Sequence, residues 1–192
     1  MARALPNFFW SDHLTAATPR ALVQIQLEKP NNIPAIHDLL LQSFPTDSEA
    51  FLVDRLRKNA SPYLSLVAEQ DHQLIGHLFF SPAHLPKHPS IKVMGLAPLA
   101  VEDEFQDLGI GTALVKAGLA MCRDQGIQAV VVLGHASYYP RFGFAPAVNF
   151  GMFCKYPVPS ETFMVIELVK NALPKNPGMI HYHPEFDKMD DA

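Results

Sequence analysis

The pattern of hydrophobic and polar positions along the chain switches repeatedly between the two-residue period of a strand and the 3.6-residue period of a helix. Positions 23–27 alternate between apolar and polar residues, which predicts a half-buried strand. The apolar residues that follow recur at helical spacing: Ile33, Ile36, Leu39, Leu40 and Phe44. Thr46 and Glu49 have the spacing of a capping box, which predicts a second helix that ends near residue 59. The chain is therefore predicted to open with a strand and two helices.

Further strands are predicted in the middle of the chain. Residues 64–69 and 74–80 are rich in apolar residues and are joined by a short polar segment, as in a β-hairpin. A loop rich in proline and histidine at 81–90 leads into another predicted strand at 91–101. Because proline has no backbone N–H to donate to a ladder, Pro98 in this strand marks an edge or a bulge.

The helix predicted at 110–125 has the most regular pattern in the sequence. Its apolar positions follow the helical period without a miss: Ile110, Ala113, Leu114, Ala117, Gly118 and Met121. Residues 129–133 are a continuous valine-rich run, which is typical of a central strand covered on both faces. Further strands are predicted at 163–169 and 179–182. This order of elements indicates a mixed α/β (α+β) layer fold.

The length and the turn residues indicate the domain organisation. A chain of 192 residues with 48% apolar residues is long enough to form one domain with a sizeable core. We expect an N-terminal arm at 1–19, a main domain at 20–170, and a C-terminal strand and tail at 171–192 packed on the same domain. The 17 prolines and 10 glycines disfavour long uninterrupted helices and predict many strand ends and connectors.

The charge balance argues against several classes of partner. The chain has 15 Lys plus Arg and 19 Asp plus Glu, a formal net charge of −4, and no run of basic residues. Neither nucleic acid nor a membrane surface is therefore an expected partner. No apolar run approaches the roughly 18 residues that a membrane helix needs. Cys122 and Cys154 fit neither a disulfide framework nor a metal spacing, which favours a reducing, cytoplasmic location.

The segment 102–112, between a predicted strand and the long helix, is the main candidate for chemistry. Gly109 and Gly111 lie at the start of the helix, where unpaired N–H groups and the helix dipole favour an anion. A Walker A loop is excluded because no lysine follows Gly111. A Rossmann turn fits poorly because Leu114 occupies the place of the third glycine. Glycines that serve helix packing alone are the remaining alternative.

This segment resembles the acetyl-CoA pyrophosphate loop of the GNAT superfamily of N-acetyltransferases, Q/R-x-x-G-x-G/A, in the residues Gln106-Asp107-Leu108-Gly109-Ile110-Gly111. In that family the loop follows a bulged strand and opens a long helix, and a buried strand, a short helix and a Gly-Phe turn come next. Residues 99–101, 130–133 and 138–144 take these places here. The resemblance is specific between residues 96 and 144 and elsewhere rests on the order of elements.

The resemblance implies a GNAT-like fold, with a mixed, mostly antiparallel central sheet, helices on both faces and a splayed strand pair. It implies acetyl-CoA as co-substrate. The backbone of Leu99, Ala100 and Val101 would then bind the pantetheine arm. The pyrophosphate would be held by backbone N–H groups of the loop and helix start: Gln106, Asp107, Leu108, Gly109, Ile110, Gly111 and Thr112. Asp107 departs from the glycine or basic residue that is frequent in the family, so we expect its carboxylate to point into solvent.

The resemblance also implies catalytic residues. Tyr139, four residues before Gly143, matches the tyrosine that can protonate the departing CoA thiolate, and a phenol pKa of ~10 lies close to a thiol pKa of ~8.5. An aromatic ring packed on a short helix is the alternative. Tyr138 is expected to line the cofactor pocket or to pack. His135, just past the buried strand, is a candidate base, with a hydrogen-bonded turn residue or a water-mediated route as alternatives.

The remaining histidines predict no metal site. Residues 84 and 88, like residues 181 and 183, offer two ligands each, which is too few for a metal ion. His77 lies on the same side of its strand as Ile75 and Phe79, and we expect it to be a sheet residue with its hydrogen bonds satisfied.

The sequence therefore predicts an N-acetyltransferase that moves an acetyl group from acetyl-CoA to a small-molecule or peptide amine by direct attack in a ternary complex. Neither cysteine falls near the predicted thioester, which favours direct attack over a covalent intermediate. The oxyanion is expected to meet the backbone N–H of Leu99. The alternatives are a CoA- or acyl-CoA-binding sensor or scaffold without turnover, and a nucleotide-binding domain. A homodimer is compatible with such a domain.

Overall fold

The structure is a computed structural model that describes residues 22–189. The predicted N-terminal arm at 1–19 lies outside the described residues, as do the first two residues of the predicted main domain and the last three of the chain. The boundaries predicted at residues 20, 170 and 171 stay a prediction.

The described chain contains three α-helices and nine strands. The helices are α1 (Ile33–Ser43), α2 (Ser48–Asn59) and α3 (Ile110–Asp124). The strands are β1 (Gln24–Leu27), β2 (Leu64–Gln70), β3 (Gln73–Ala83), β4 (Val93–Val101), β5 (Ala129–Leu133), β6 (Ala145–Pro146), β7 (Met152–Phe153), β8 (Phe163–Glu167) and β9 (Gly178–Met179). Short 3-10 helices lie at Pro30–Asn32, Asp103–Phe105, Tyr139–Phe142, Ala147–Phe150 and Pro184–Lys188.

Seven of the strands form one sheet in the order β1-β2-β3-β4-β5-β8-β6, and β7 pairs with β9 in a small second sheet. Within the large sheet every pair of neighbours is antiparallel except β4 and β5, which are parallel. Helix α3 packs on one face and helices α1 and α2 pack on the other. The expected mixed, mostly antiparallel sheet with helices on both faces is confirmed.

The sheet splits between β4 and β5. Their parallel pairing covers only Val93–Leu96 opposite residues 129–132, whereas β4 continues to Val101 and pairs there with β3 alone. Two residues, Ala97 and Pro98, face the single residue Phe79 of β3, which is the geometry of a β-bulge. The bulge predicted at Pro98 is therefore present, and residues 97–101 leave one edge of the strand unpaired.

Several local predictions need correction. The capping box does not form: the residue before α2 is Asp47, which makes no side-chain cap, and the Ser48 N–H donates to the Thr46 hydroxyl at 3.4 Å. Strand β3 extends to Ala83 into the predicted loop at 81–90, because it pairs with the first residues of β4. The strand predicted at 179–182 reduces to a two-residue strand and an isolated bridge at His181.

A buried polar cluster joins β2, β3 and α2. The fully buried His77 contacts the Ser65 hydroxyl through Nε2 at 3.0 Å, and Ser65 in turn donates to Glu28. Arg57 of α2 pairs with Glu28 at 2.5 Å and with Asp54 at 2.9 Å. Burial, with the nearby Arg57 charge, lowers the pKa of His77 to about 3. Its Nδ1 has no hydrogen-bond partner within residues 22–189. We expected His77 to have its hydrogen bonds satisfied, and this holds for Nε2 only.

Candidate active site

The start of α3 is built to present backbone N–H groups. Gly109 caps the helix with φ of 85°, a left-handed conformation that glycine adopts without strain. The first helical hydrogen bond runs from the Ala113 N–H to the Gly109 carbonyl at 2.9 Å. The N–H groups of Ile110, Gly111 and Thr112 precede that bond, so they lie free of helical partners at the positive end of the helix dipole. This is a site for an anion.

The loop before the helix is braced against the end of β4. The Gln106 amide donates to the Val101 carbonyl at 3.2 Å and to an Asp103 carboxylate oxygen at 2.8 Å. The backbone N–H of Gln106 donates to the Asp103 carbonyl at 3.2 Å, so it is already engaged. Asp107 adopts φ of 57° and is exposed to solvent. The left-handed conformation explains why glycine suits this position and why aspartate is tolerated.

A cavity of ≈ 420 Å³, here called the cofactor cleft, opens beside this loop. Its lining joins the end of β4, the loop, the start of α3 and the segment after β5: Leu99, Val101, Phe105, Gln106, Asp107, Gly109, Ile110, Gly111, Thr112, His135, Tyr138, Tyr139 and Arg141. Two of the residues expected to contact the cofactor, Ala100 and Leu108, do not line this cleft. The side chain of Ala100 is buried in the cluster on the α1–α2 face, and Leu108 is 51% exposed.

Sequence reasoning missed two residues of the cofactor cleft, Phe105 and Arg141. The Arg141 guanidinium lies 4.6 Å above the ring centroid of Tyr138, a cation–π contact that holds a positive charge beside the N–H groups of α3. A Cβ at position 111 would lie only 2.8 Å from the Tyr138 hydroxyl oxygen, so Tyr138 rests against the start of that helix. The available signal was a single arginine three residues after Tyr138, within the same 3-10 turn.

Tyr139 lines the cofactor cleft and is 7% exposed. Its ring makes edge contacts with Tyr138 and Phe144, at centroid distances of 5.1 and 5.6 Å. Burial, and to a smaller extent the neighbouring Tyr138, raises the pKa of Tyr139 above the usual value for a phenol. The phenol therefore stays protonated across the working pH range. The sequence argument assumed that the pKa of Tyr139 lies close to that of a thiol. The raised pKa removes this match, because it makes Tyr139 a weaker acid.

A second cavity of ≈ 280 Å³, here called the acceptor cavity, lies on the α1–α2 face of the split sheet. It is lined by Phe44, Glu49, Leu52, Leu96, Ala97, Pro98, Leu99, Leu133, Gly134, His135, Tyr139, Phe186 and Met189. Leu99, His135 and Tyr139 line both cavities. The two cavities therefore meet at the gap between β4 and β5, where the strands no longer pair.

The remaining candidate features of the described chain are metal ligands, cysteines and membrane-spanning helices. No group of three or more His, Cys, Asp or Glu side chains in residues 22–189 could hold a metal ion. Both cysteines are free thiols, and neither lines the two cavities. None of the helices described here is both long and apolar enough to cross a membrane.

Comparison with known proteins identifies the family. The model of the acetyltransferase (GNAT) family matches residues 33–144. The uncharacterized N-acetyltransferase YhbS of Escherichia coli strain K12 is 37% identical over 165 residues, which cover 85% of this chain and 98% of YhbS. The uncharacterized N-acetyltransferase YjhQ of the same strain is 40% identical over 130 residues, which cover 66% of this chain and 72% of YjhQ.

Two solved structures are similar over most of the chain. The structure of E. coli YhbS in complex with CoA has a TM-score of 0.83 and 36% identity, covering 88% of this chain and 94% of that one. The structure of a GNAT family acetyltransferase from Brucella melitensis in complex with acetyl-CoA has a TM-score of 0.71 and 31% identity, covering 87% and 99%. The chain belongs to the GNAT family of N-acetyltransferases, as the sequence of its loop predicted.

Proposed function

We propose that this protein transfers an acetyl group from acetyl-CoA, bound in the cofactor cleft, to an amine bound in the acceptor cavity. The observation that carries the proposal is that the two cavities meet at Leu99, His135 and Tyr139. A thioester that enters from one face of the sheet and an amine that enters from the other can reach each other only where the strands separate. Direct attack in a ternary complex requires this arrangement.

The residues of the cofactor cleft fit acetyl-CoA. The N–H groups of Ile110, Gly111 and Thr112 and the Arg141 guanidinium supply donors and positive charge for a pyrophosphate. The unpaired edge of residues 97–101 offers backbone groups to the amides of a pantetheine arm, as an added strand would. Two structurally similar family members hold CoA or acetyl-CoA. The Gln106 side chain holds loop and strand in register for both contacts.

The proposed reaction balances with residues at the junction. A neutral amine nitrogen attacks the thioester carbonyl carbon, the C–N bond forms and the C–S bond breaks. We assign the backbone N–H of Leu99 to the carbonyl oxygen, where negative charge develops. The Tyr139 hydroxyl, kept protonated by its raised pKa, donates a hydrogen bond to the sulfur and a proton as the bond breaks. It regains a proton from the attacking nitrogen, which loses one as the amide forms. His135, which is exposed and lines both cavities, accepts the ammonium proton directly or through water.

Direct attack is proposed because no cysteine thiol within residues 22–189 lines either cavity. Cys122 is buried, and burial raises the pKa of its thiol to about 12, which suppresses the reactive thiolate. Cys154 lies in neither cavity. Two free thiols are also typical of a reducing compartment, so we place the enzyme in the cytoplasm.

The test is a product assay with the purified protein, acetyl-CoA and a panel of primary amines. We expect one free thiol for each N-acetylated amine, double-reciprocal plots that intersect, and no acetylated protein in the intact mass. Parallel plots with an acetylated protein would contradict direct attack. A non-catalytic CoA-binding module, the second candidate, is favoured by the raised pKa of Tyr139, and it predicts saturable acetyl-CoA binding with no thiol release.

A further inference from the structure

The acceptor cavity is lined mostly by apolar side chains. Its walls come from the α1–α2 corner, from β4 and from the C-terminal 3-10 helix, and its apolar side chains include Phe44, Leu52, Leu96, Pro98, Phe186 and Met189. Three of its side chains are polar: Glu49, His135 and Tyr139. At ≈ 280 Å³ the cavity lies near the lower end of the ~300–1,000 Å³ typical of small-molecule sites. Its size suits a small amine.

Among residues 22–189, Glu49 is the one acidic side chain that lines this cavity. It lies in the first turn of α2, and its carboxylate oxygen Oε2 is buried without a hydrogen-bond partner among residues 22–189. An unpaired carboxylate oxygen in apolar surroundings is costly, and a cation that donates hydrogen bonds removes that cost. The side chain is therefore suited to an ammonium group brought by a ligand.

Two basic side chains on the elements around this wall form ion pairs with another carboxylate. Arg55, on the same helix as Glu49, lies 3.1 Å from Glu185, and Lys188 of the C-terminal turn lies 2.9 Å from it. The Arg55 ion pair thus holds Phe186 and its turn against α2, whereas the Lys188 ion pair lies within the turn. The buried oxygen of Glu49 can therefore pair with a positive charge from outside the described chain.

Resting on the function proposed above, we propose that Glu49 binds the ammonium group of the acceptor, and that the surrounding wall selects a primary amine with an apolar substituent. Charge supplies one part of the selectivity and the apolar wall supplies the other. A polar amine satisfies the carboxylate but leaves the apolar wall without contacts. A neutral molecule of the same shape contacts the apolar wall but leaves the carboxylate unpaired. The two contributions can therefore be measured separately.

The experiment measures binding by calorimetry, with and without CoA, for three probes. These are 2-phenylethylamine, the neutral 2-phenylethanol of the same shape, and ethanolamine, which lacks the ring. We expect the wild-type protein to bind 2-phenylethylamine ~10- to 100-fold more tightly than either other probe. The difference from 2-phenylethanol is that of one charge-assisted hydrogen bond, and the difference from ethanolamine is that of the buried ring. Glu49→Gln should remove the preference for 2-phenylethylamine over 2-phenylethanol and leave the affinity for 2-phenylethanol unchanged. Glu161→Gln, at an exposed carboxylate outside both cavities, should behave as wild type.

Several results would overturn the assignment. They are equal affinity of the wild type for 2-phenylethylamine and 2-phenylethanol, tighter binding of ethanolamine, no binding of any amine, or an unchanged preference in Glu49→Gln. An unchanged Kd for acetyl-CoA shows that Glu49→Gln is folded. Failure of the proposed function would look different, because the wild type would then fail to bind acetyl-CoA or to release thiol. The binding preference measured without CoA still tests Glu49 in that case.

Discussion

Gly134 and the ring of Tyr139 approach so closely that no side chain fits at position 134. A Cβ there would lie 2.3 Å from Cε2 of Tyr139 and 2.9 Å from Cδ2. Gly134 directly follows β5, at the point where the two cavities meet. The missing side chain lets the Tyr139 ring lie against the end of the strand, so the position of the proposed proton donor depends on a glycine outside the GNAT loop.

Gly134→Ala should therefore displace Tyr139. We expect kcat to fall by at least ~10-fold, with a loss of about 1–3 kcal/mol in the free energy of unfolding, the usual cost of overpacking. The measurement is steady-state kinetics together with urea unfolding. In a Tyr139→Phe background the same substitution should change kcat little, because the hydroxyl that it displaces is already gone. Additive losses in the double variant would argue against this explanation.

Arg141 should contribute to acetyl-CoA affinity through charge. Its guanidinium stacks on Tyr138 beside the N–H groups of α3, where a pyrophosphate is proposed to bind. We expect Arg141→Gln to weaken acetyl-CoA binding by ~10-fold and to flatten its dependence on salt. Acetyl-pantetheine, which lacks the pyrophosphate, should bind the variant and the wild type equally. A matching loss for acetyl-pantetheine would contradict a phosphate contact.

The sequence identified the regular elements well because their signals are local. Helix α3 was predicted at 110–125 and is found at Ile110–Asp124, since its apolar period has no interruption. The loop before it was assigned from a contiguous motif. The capping box at Thr46 and Glu49 failed, because the side chain of Glu49 lines the acceptor cavity. Its local spacing carried no information about that distant environment.

Buried His77 should make stability depend on pH. Its pKa is about 3 in the folded protein and near 6.5 when unfolded, so between these values the unfolded chain binds more protons. The contribution of His77 to the free energy of unfolding therefore rises with pH up to about 6.5 and levels off above that pH. From about pH 5 to pH 7.5 the gain is about 2 kcal/mol. Urea unfolding at these two pH values measures it.

The matched variants for that experiment are His77→Gln and His72→Asn. His77→Gln should lose this part of the pH dependence whatever its stability at neutral pH. His72 lies exposed in the turn between β2 and β3, so His72→Asn should keep the slope of the wild type. A variant at His77 with an unchanged slope would mean that other groups cause the dependence.

Glu185 should hold one wall of the acceptor cavity in place. Its carboxylate accepts from Asn59 at 2.7 Å and from Lys188 at 2.9 Å, and Arg55 lies 3.1 Å away. The Lys188 hydrogen bond leads the interactions that lower its pKa, so these ion pairs are present at neutral pH and weaken as pH falls through that lowered value. Glu185→Ala should raise KM for 2-phenylethylamine by ~10-fold and leave the Kd for acetyl-CoA unchanged. Equal losses for both substrates would show a global effect.

The composition of the two cavities was only partly predictable. The cofactor cleft is built largely from a continuous stretch, residues 99–112, so a short motif located it. The acceptor cavity combines Glu49 of α2 with Phe186 and Met189 of the C-terminal turn, more than a hundred residues apart. Long-range packing of this kind has no period or spacing in the sequence. The C-terminal tail was expected to pack on the domain but not to line a site.

Tyr139→Phe tests the central claim most directly, because the substitution removes the hydroxyl at the junction and keeps the ring that packs against Gly134. The measurement is kcat for thiol release with an amine that the wild type acetylates, beside the Kd for acetyl-CoA. Tyr63→Phe, at a half-exposed tyrosine outside both cavities, is the control. We predict a fall in kcat of ~100-fold or more with the Kd unchanged. A kcat equal to that of the wild type would contradict the assignment of Tyr139 as proton donor at the meeting point of the two cavities.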